Sequence, residues 1–118
     1  IDFYCNKLGL KELSRYDNDQ GRFSLIFLAA PGDEEAQVEL TYNWGVSSYD
    51  MGDAYGHIAI EVDDVHQAAD AIKAQGGKIL REAGPMNAGT TIIAFVEDPD
   101  GYAIELIGRK ARRSDAAT

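Results

Sequence analysis

Val38-Glu39-Leu40-Thr41 and Ile104-Glu105-Leu106-Ile107 are two copies of one pattern, each setting a glutamate inside a strand-like apolar run. An ionised carboxylate buried without a partner costs about 3 kcal/mol or more, so a strand rarely carries one unless something is there to meet it. Its recurrence at corresponding places points to a duplicated module that delivers two carboxylates to one site. The match extends outward. Gly9-Leu10-Lys11-Glu12-Leu13 aligns with Gly76-Gly77-Lys78-Ile79-Leu80 at a separation of 67 residues, and Glu39 with Glu105 at 66.

Hydrophobic periodicity fills in the elements between these anchors. Phe3, Tyr4 and Leu8 make a helical stripe over Asp2 to Leu8, with Gly9 placed to end it. Strands are expected over Lys11 to Tyr16, Phe23 to Ala29 and Gln37 to Tyr42, with the turn cluster Asp17-Asn18-Asp19-Gln20-Gly21 between the first two. Asn43 to Tyr55 reads as an irregular connector. The pattern then restarts with a strand over Gly56 to Val62 that puts His57, Ala59 and Glu61 on one face. Asp63 or Asp64 can cap a helix whose Val65, Ala68, Ala69 and Ile72 share a face, and Gly76-Gly77 ends it. Next come a strand over Lys78 to Arg81, a loop over Glu82 to Gly89, and a strand over Thr91 to Val96. The turn Asp98-Pro99-Asp100-Gly101 leads into a last strand over Tyr102 to Ile107.

The second half thus reads β-α-β-β-β and the first α-β-β-β. By the repeat offset, the counterpart of the His57 strand falls about ten residues before Ile1, so the chain is expected to be a fragment without that strand. The fold class expected is α+β, one domain of two paired βαβββ modules. Module 1 covers about residues 1–45, module 2 about 56–108, and a tail runs from 109 to 118.

With 118 residues and a net charge of −9, the chain is sized for a single core and is a poor match for nucleic acid, which needs a basic face. The basic residues Arg109, Lys110, Arg112 and Arg113 cluster in the tail, which reads as a solvated terminus. No apolar run approaches the roughly 20 residues that span a bilayer. The single Cys5 leaves no internal disulfide and has no nearby His or cationic signal to make it a nucleophile. A cytosolic protein is expected.

Glu39, His57 and Glu105 are the candidates for chemistry. Each is expected on a strand, which holds side chains more closely than a loop does. If the modules pair about a pseudo-twofold axis, the two glutamates become equivalent, and a mixed set of one imidazole and two carboxylates results. That set suits Ni, Co, Zn or Mn in open coordination rather than a closed thiolate zinc site. His66 falls on a polar helix position and is expected to be exposed. No phosphate-cradling glycine motif occurs.

Several stretches together resemble glyoxalase I, the lactoylglutathione lyase family of the vicinal oxygen chelate superfamily. They are Leu8-Gly9-Leu10, Val38 through Trp44, Tyr55-Gly56-His57-Ile58-Ala59, Gly84-Pro85-Met86 and Ala94 through Glu105. The resemblance runs from residue 1 to about 108 and is closest to the short bacterial type. It implies that Glu39, His57 and Glu105 are three of four metal ligands, the fourth being a histidine on the strand outside this chain, so these 118 residues alone are expected to be impaired in metal binding and activity. It implies catalytic roles for Glu105 as proton shuttle and for Glu39 as partner base, and a contact of Asn43 with the glutamyl end of glutathione. Asn87 stands where many relatives have a lysine near the glycyl carboxylate, which leaves Arg81 as a substitute clamp. The implied reaction isomerises the hemithioacetal of methylglyoxal and glutathione to S-D-lactoylglutathione through an enediolate, a detoxification. Nickel is the metal expected, with Co, Zn or Mn as alternatives, in a homodimer whose active sites form between subunits. Other readings of the same fold are a metal-free sequestering module of drug-resistance type, an epimerase, or a ring-cleaving dioxygenase. The dioxygenase would use two histidines and one glutamate, so Glu39 counts against it.

Overall fold

The structure, a computed structural model, describes residues 1–86 and 89–108 of the chain. It divides into two compact units, Ile1–Met51 and Gly52 onward, with the boundary inside the expected connector.

Unit 1 opens with a short helical segment, Asp2–Lys7, and continues through β1 (Lys11–Asn18), β2 (Phe23–Ala29) and β3 (Gln37–Asn43). The segment is wound more loosely than the α-helical stripe predicts: Leu8 N–H donates to the Phe3 carbonyl, five residues back. It still does what the stripe requires, burying Phe3 and Tyr4. Gly9 then turns the chain at φ 85°, a left-handed value that glycine tolerates best, and Leu10 enters the core. The three strands form an antiparallel sheet in the order β1-β2-β3, and Leu28 and Ala29 of the central strand are almost fully buried.

Unit 2 runs β4 (Ile58–Val62), α1 (Val65–Ala74), β5 (Lys78–Pro85), β6 (Ile92–Glu97) and β7 (Ala103–Gly108). The sheet order is β4-β7-β6-β5, with β4 parallel to β7 and the other pairs antiparallel. Asp64, rather than Asp63, is the helix cap: its side chain accepts the Gln67 N–H. Val65, Ala69 and Ile72 form the buried stripe, and His66 is exposed as expected. At the other end Gly76 adopts φ 83° and Gly77 N–H caps the Ile72 carbonyl at 2.8 Å. A side chain on Gly77 would collide with Ile72, so the glycine pair is needed for the close return of the chain.

Two boundaries differ from the sequence expectation in ways that bear on the site. The strand expected from Gly56 begins at Ile58, so His57 lies just outside it. The strand expected to end at Arg81 continues to Pro85, taking in the first half of the predicted loop. It can do so because β5 is an edge strand, where proline leaves no ladder bond unmade, and because two register shifts absorb the irregular residues.

The two sheets repeat each other in register. In unit 1, Ser14 pairs with Phe27, and Phe27 with Glu39. In unit 2, Arg81 pairs with Phe95, and Phe95 with Glu105. The outer strand paired with each central strand, β1 in unit 1 and β5 in unit 2, slips by one residue at the same place, between Glu12 and Ser14 and between Ile79 and Arg81. A shared bulge is stronger support for duplication than a shared turn, because it re-aims every side chain beyond it.

Candidate active site

The row Arg81–Phe95–Glu105–Ala59 crosses all four strands of unit 2. Along β7, Ile104 and Leu106 are fully buried, whereas Glu105 points to the other face of the sheet. Helix α1 therefore does not crowd it. Glu105 nonetheless keeps only 13% of its side chain exposed.

His57 meets it there. Its Nε2 lies 3.2 Å from Glu105 Oε1, and its ring stands edge-on to Phe95 with centroids 5.1 Å apart. The imidazole can donate Nε2–H to the carboxylate, which partners a largely buried charge. The same two atoms have the right chemistry for a divalent cation: a borderline nitrogen donor and a hard, anionic oxygen donor. A metal held by this pair would replace the shared proton, a coupling usual at such sites. The residues present in unit 2 thus fit two positions of a metal shell.

Glu39, the third expected ligand, is on β3 of unit 1, exposed and opposite Phe27. Among the described residues no group of three or more His, Cys, Asp or Glu side chains stands together for a metal. Asn43 ends β3 and donates from Nδ2 to the Tyr49 hydroxyl at 2.8 Å. Arg81 shares the Glu105 row, but its guanidinium turns along the strand. It donates to the carbonyls of Ile93 at 3.2 Å and Pro85 at 2.9 Å, with longer contacts to Glu82 and Gly84. Those bonds hold the irregular end of β5. Asn87 and the basic tail lie outside the described residues.

Two residues that carried no expectation from sequence adjoin the pair. Phe95 supports the His57 ring, and its repetition as Phe27 opposite the other glutamate is a signal the sequence does contain. Tyr55, in the connector, donates its hydroxyl to the Ala103 carbonyl at 3.0 Å and packs edge-on against Tyr102. Burial raises its phenol above the ordinary value of 10.0.

The family model described as Glyoxalase/Bleomycin resistance protein/Dioxygenase superfamily matches residues 1–106. The chain belongs to that superfamily, whose α+β fold of βαβββ modules unit 2 displays in full. Within it the chain belongs to the lactoylglutathione lyase, or glyoxalase I, family. It is 58% identical over 111 residues to the lactoylglutathione lyase of Salmonella typhimurium, covering 93% of this chain and 82% of that one. The corresponding enzyme of Neisseria meningitidis is 55% identical over 112 residues, covering 94% and 81%. Among solved structures, glyoxalase I from Zea mays superposes with a TM-score of 0.86 at 47% identity; the match takes in 92% of this chain but 39% of the maize chain. The Leishmania major glyoxalase I, a trypanothione-dependent enzyme, gives 0.83 at 40% identity, covering 99% and 81%.

Proposed function

We propose that this protein is a lactoylglutathione lyase that isomerises the methylglyoxal–glutathione hemithioacetal to S-D-lactoylglutathione. The observation that carries the reading is the His57–Glu105 pair, a nitrogen and a carboxylate oxygen 3.2 Å apart on the uncrowded face of a family-matched sheet.

The reaction moves a proton between adjacent carbons, one of them beside a carbonyl. Glu105 is the group to move it: a carboxylate held by strand pairing on one side and by His57 on the other can accept a proton from carbon and return it to the neighbour. Its low exposure keeps bulk water from exchanging with that proton. His57, Glu105 and Glu39 would hold one divalent metal, nickel in the first instance with Co, Zn or Mn as substitutes. When bound, the metal supplies Lewis-acid stabilisation of the negative charge that develops on the substrate oxygens. Glu39 serves as ligand and as partner base. Asn43 and Arg81 contact the glutathione portion, Arg81 from the same cross-strand row as Glu105. Phe95 presents an apolar wall that fixes the imidazole.

The assembly proposed is a homodimer with the active sites between subunits, and the compartment proposed is the cytoplasm. The single cysteine supports a reducing environment, and no helix among the described residues is long and apolar enough to cross a membrane.

The test combines elemental analysis of the purified protein with a methylglyoxal–glutathione assay before chelation, after it, and after metal add-back. Stoichiometric metal and activity that disappears and returns with nickel are expected. A metal-free protein that binds small molecules without converting them would instead identify a sequestering module.

A further inference from the structure

His57 has an unusual support for a residue assigned a chemical role. It precedes β4, so no ladder bond of its own fixes it, and its side chain is 43% exposed. Residues beyond the end of a strand fray unless something else ties them down. The neighbouring contacts show what does so. The Tyr55 hydroxyl donates to the Ala103 carbonyl at 3.0 Å. Tyr55 itself lies two residues before His57, and Ala103 is two residues before Glu105 on β7. One hydrogen bond therefore ties the segment that leads into His57 to the strand that carries Glu105.

The clamp is itself anchored. The Tyr55 ring packs edge-on against Tyr102, with centroids 4.9 Å apart. Tyr102 is held by the buried Asp98, whose Oδ1 accepts its N–H at 2.8 Å, while Asp98 N–H donates to the Tyr102 carbonyl at 2.8 Å. The tight Asp98–Gly101 turn, the Tyr102 ring and Tyr55 thus form a continuous strut from the core to the segment that leads into His57.

From this geometry we propose that Tyr55 is a positioning residue of the active site: its hydroxyl fixes the start of β4 against β7, and so sets the spacing of His57 Nε2 and Glu105 Oε1. It acts through these two residues and touches no reacting atom. The proposal rests on the metal-site reading for its consequence in catalysis, but the placement of His57 can be measured without metal.

The experiment compares Tyr55→Phe, Tyr55→Leu and the unaltered chain by nuclear magnetic resonance, followed by nickel titration. Tyr55→Phe keeps the ring against Tyr102 and removes only the bridge. In the metal-free protein, proton–proton contacts between the His57 and Phe95 rings should weaken about threefold and Ile58 amide exchange should speed about tenfold in Tyr55→Phe, as expected for loss of one hydrogen bond. Exchange at the core residue Val96 should stay at its original rate. The nickel dissociation constant should rise about tenfold, the usual scale for losing a group that orients a ligand. The proposal is overturned if the His57–Phe95 contacts and Ile58 exchange are the same in all three proteins, or if they change only in step with Val96. A higher KM with unchanged ring contacts would make Tyr55 a substrate contact and overturn it as well. If nickel perturbs neither His57 nor Glu105 in the unaltered chain, the metal reading fails, while the ring contacts still decide the role of Tyr55.

Discussion

Glu39 and Glu105 occupy the same register position in two sheets that share even a bulge, yet their surroundings differ. Each faces a phenylalanine on the central strand, Phe27 or Phe95. In unit 2 a parallel strand lies on the far side of β7, brings His57 beside Glu105, and leaves the carboxylate with little exposure. In unit 1 the described residues provide no such strand next to β3, and Glu39 is exposed. The cores differ in parallel: Ile104 and Leu106 are fully buried, with α1 packed on their sheet, whereas Val38 and Leu40 are half-buried. The comparison separates two contributions. The repeated hairpin fixes where a carboxylate points; the neighbouring strand supplies its partner and its shielding.

Substitutions can break this comparison at either end. The largest effect belongs to Glu105→Gln, which keeps shape and removes the base. Turnover in the hemithioacetal assay should fall on the order of 1,000-fold, with the melting temperature nearly unchanged. A modest loss would move the proton-transfer role elsewhere. Core truncation tests whether the units are equally well built. Leu28→Ala and Ile104→Ala each remove a side chain with no exposure and should each cost about 2–5 kcal/mol in urea unfolding. A loss below about 1 kcal/mol for Leu28→Ala would show a core in unit 1 that can collapse around the gap.

Glu39→Gln should lower turnover about 100-fold and weaken nickel binding while leaving stability intact. An unaffected enzyme would confine the chemistry to unit 2. The smallest effect expected is that of Trp44→Phe. It deletes the indole N–H that donates to the Ser24 hydroxyl at 2.9 Å, but keeps a ring beneath Arg22, and should cost unit 1 about 1 kcal/mol.

Most of the fold was legible because the signals were local and repeated. Periodicity placed every strand and the helix, and glycines at equivalent positions, Gly9 and Gly76, marked both returns into the sheet at nearly the same φ. The errors fell where tertiary context overrides local preference. Gly84 and Pro85 read as loop residues, yet they extend an edge strand whose carbonyls are gathered by Arg81. His57 read as part of a strand because the alternation continues through it, but its hydrogen bonding does not. At the site, the sequence singled out His57 and Glu105, and the structure brings them within 3.2 Å. Tyr55 was not legible. Its contacts reach Tyr102 and Ala103, across a separation that no short-range pattern encodes.

The central claim is that the His57–Glu105 pair makes this chain a metal-dependent isomerase. The most direct measurement follows S-D-lactoylglutathione formation by chelated protein during a nickel titration, with the unaltered chain compared against His57→Gln. Activity should rise with nickel to a plateau in the unaltered protein. His57→Gln should need at least about tenfold more metal and reach a lower plateau. Equal rates in both proteins, with no dependence on nickel, would contradict the account.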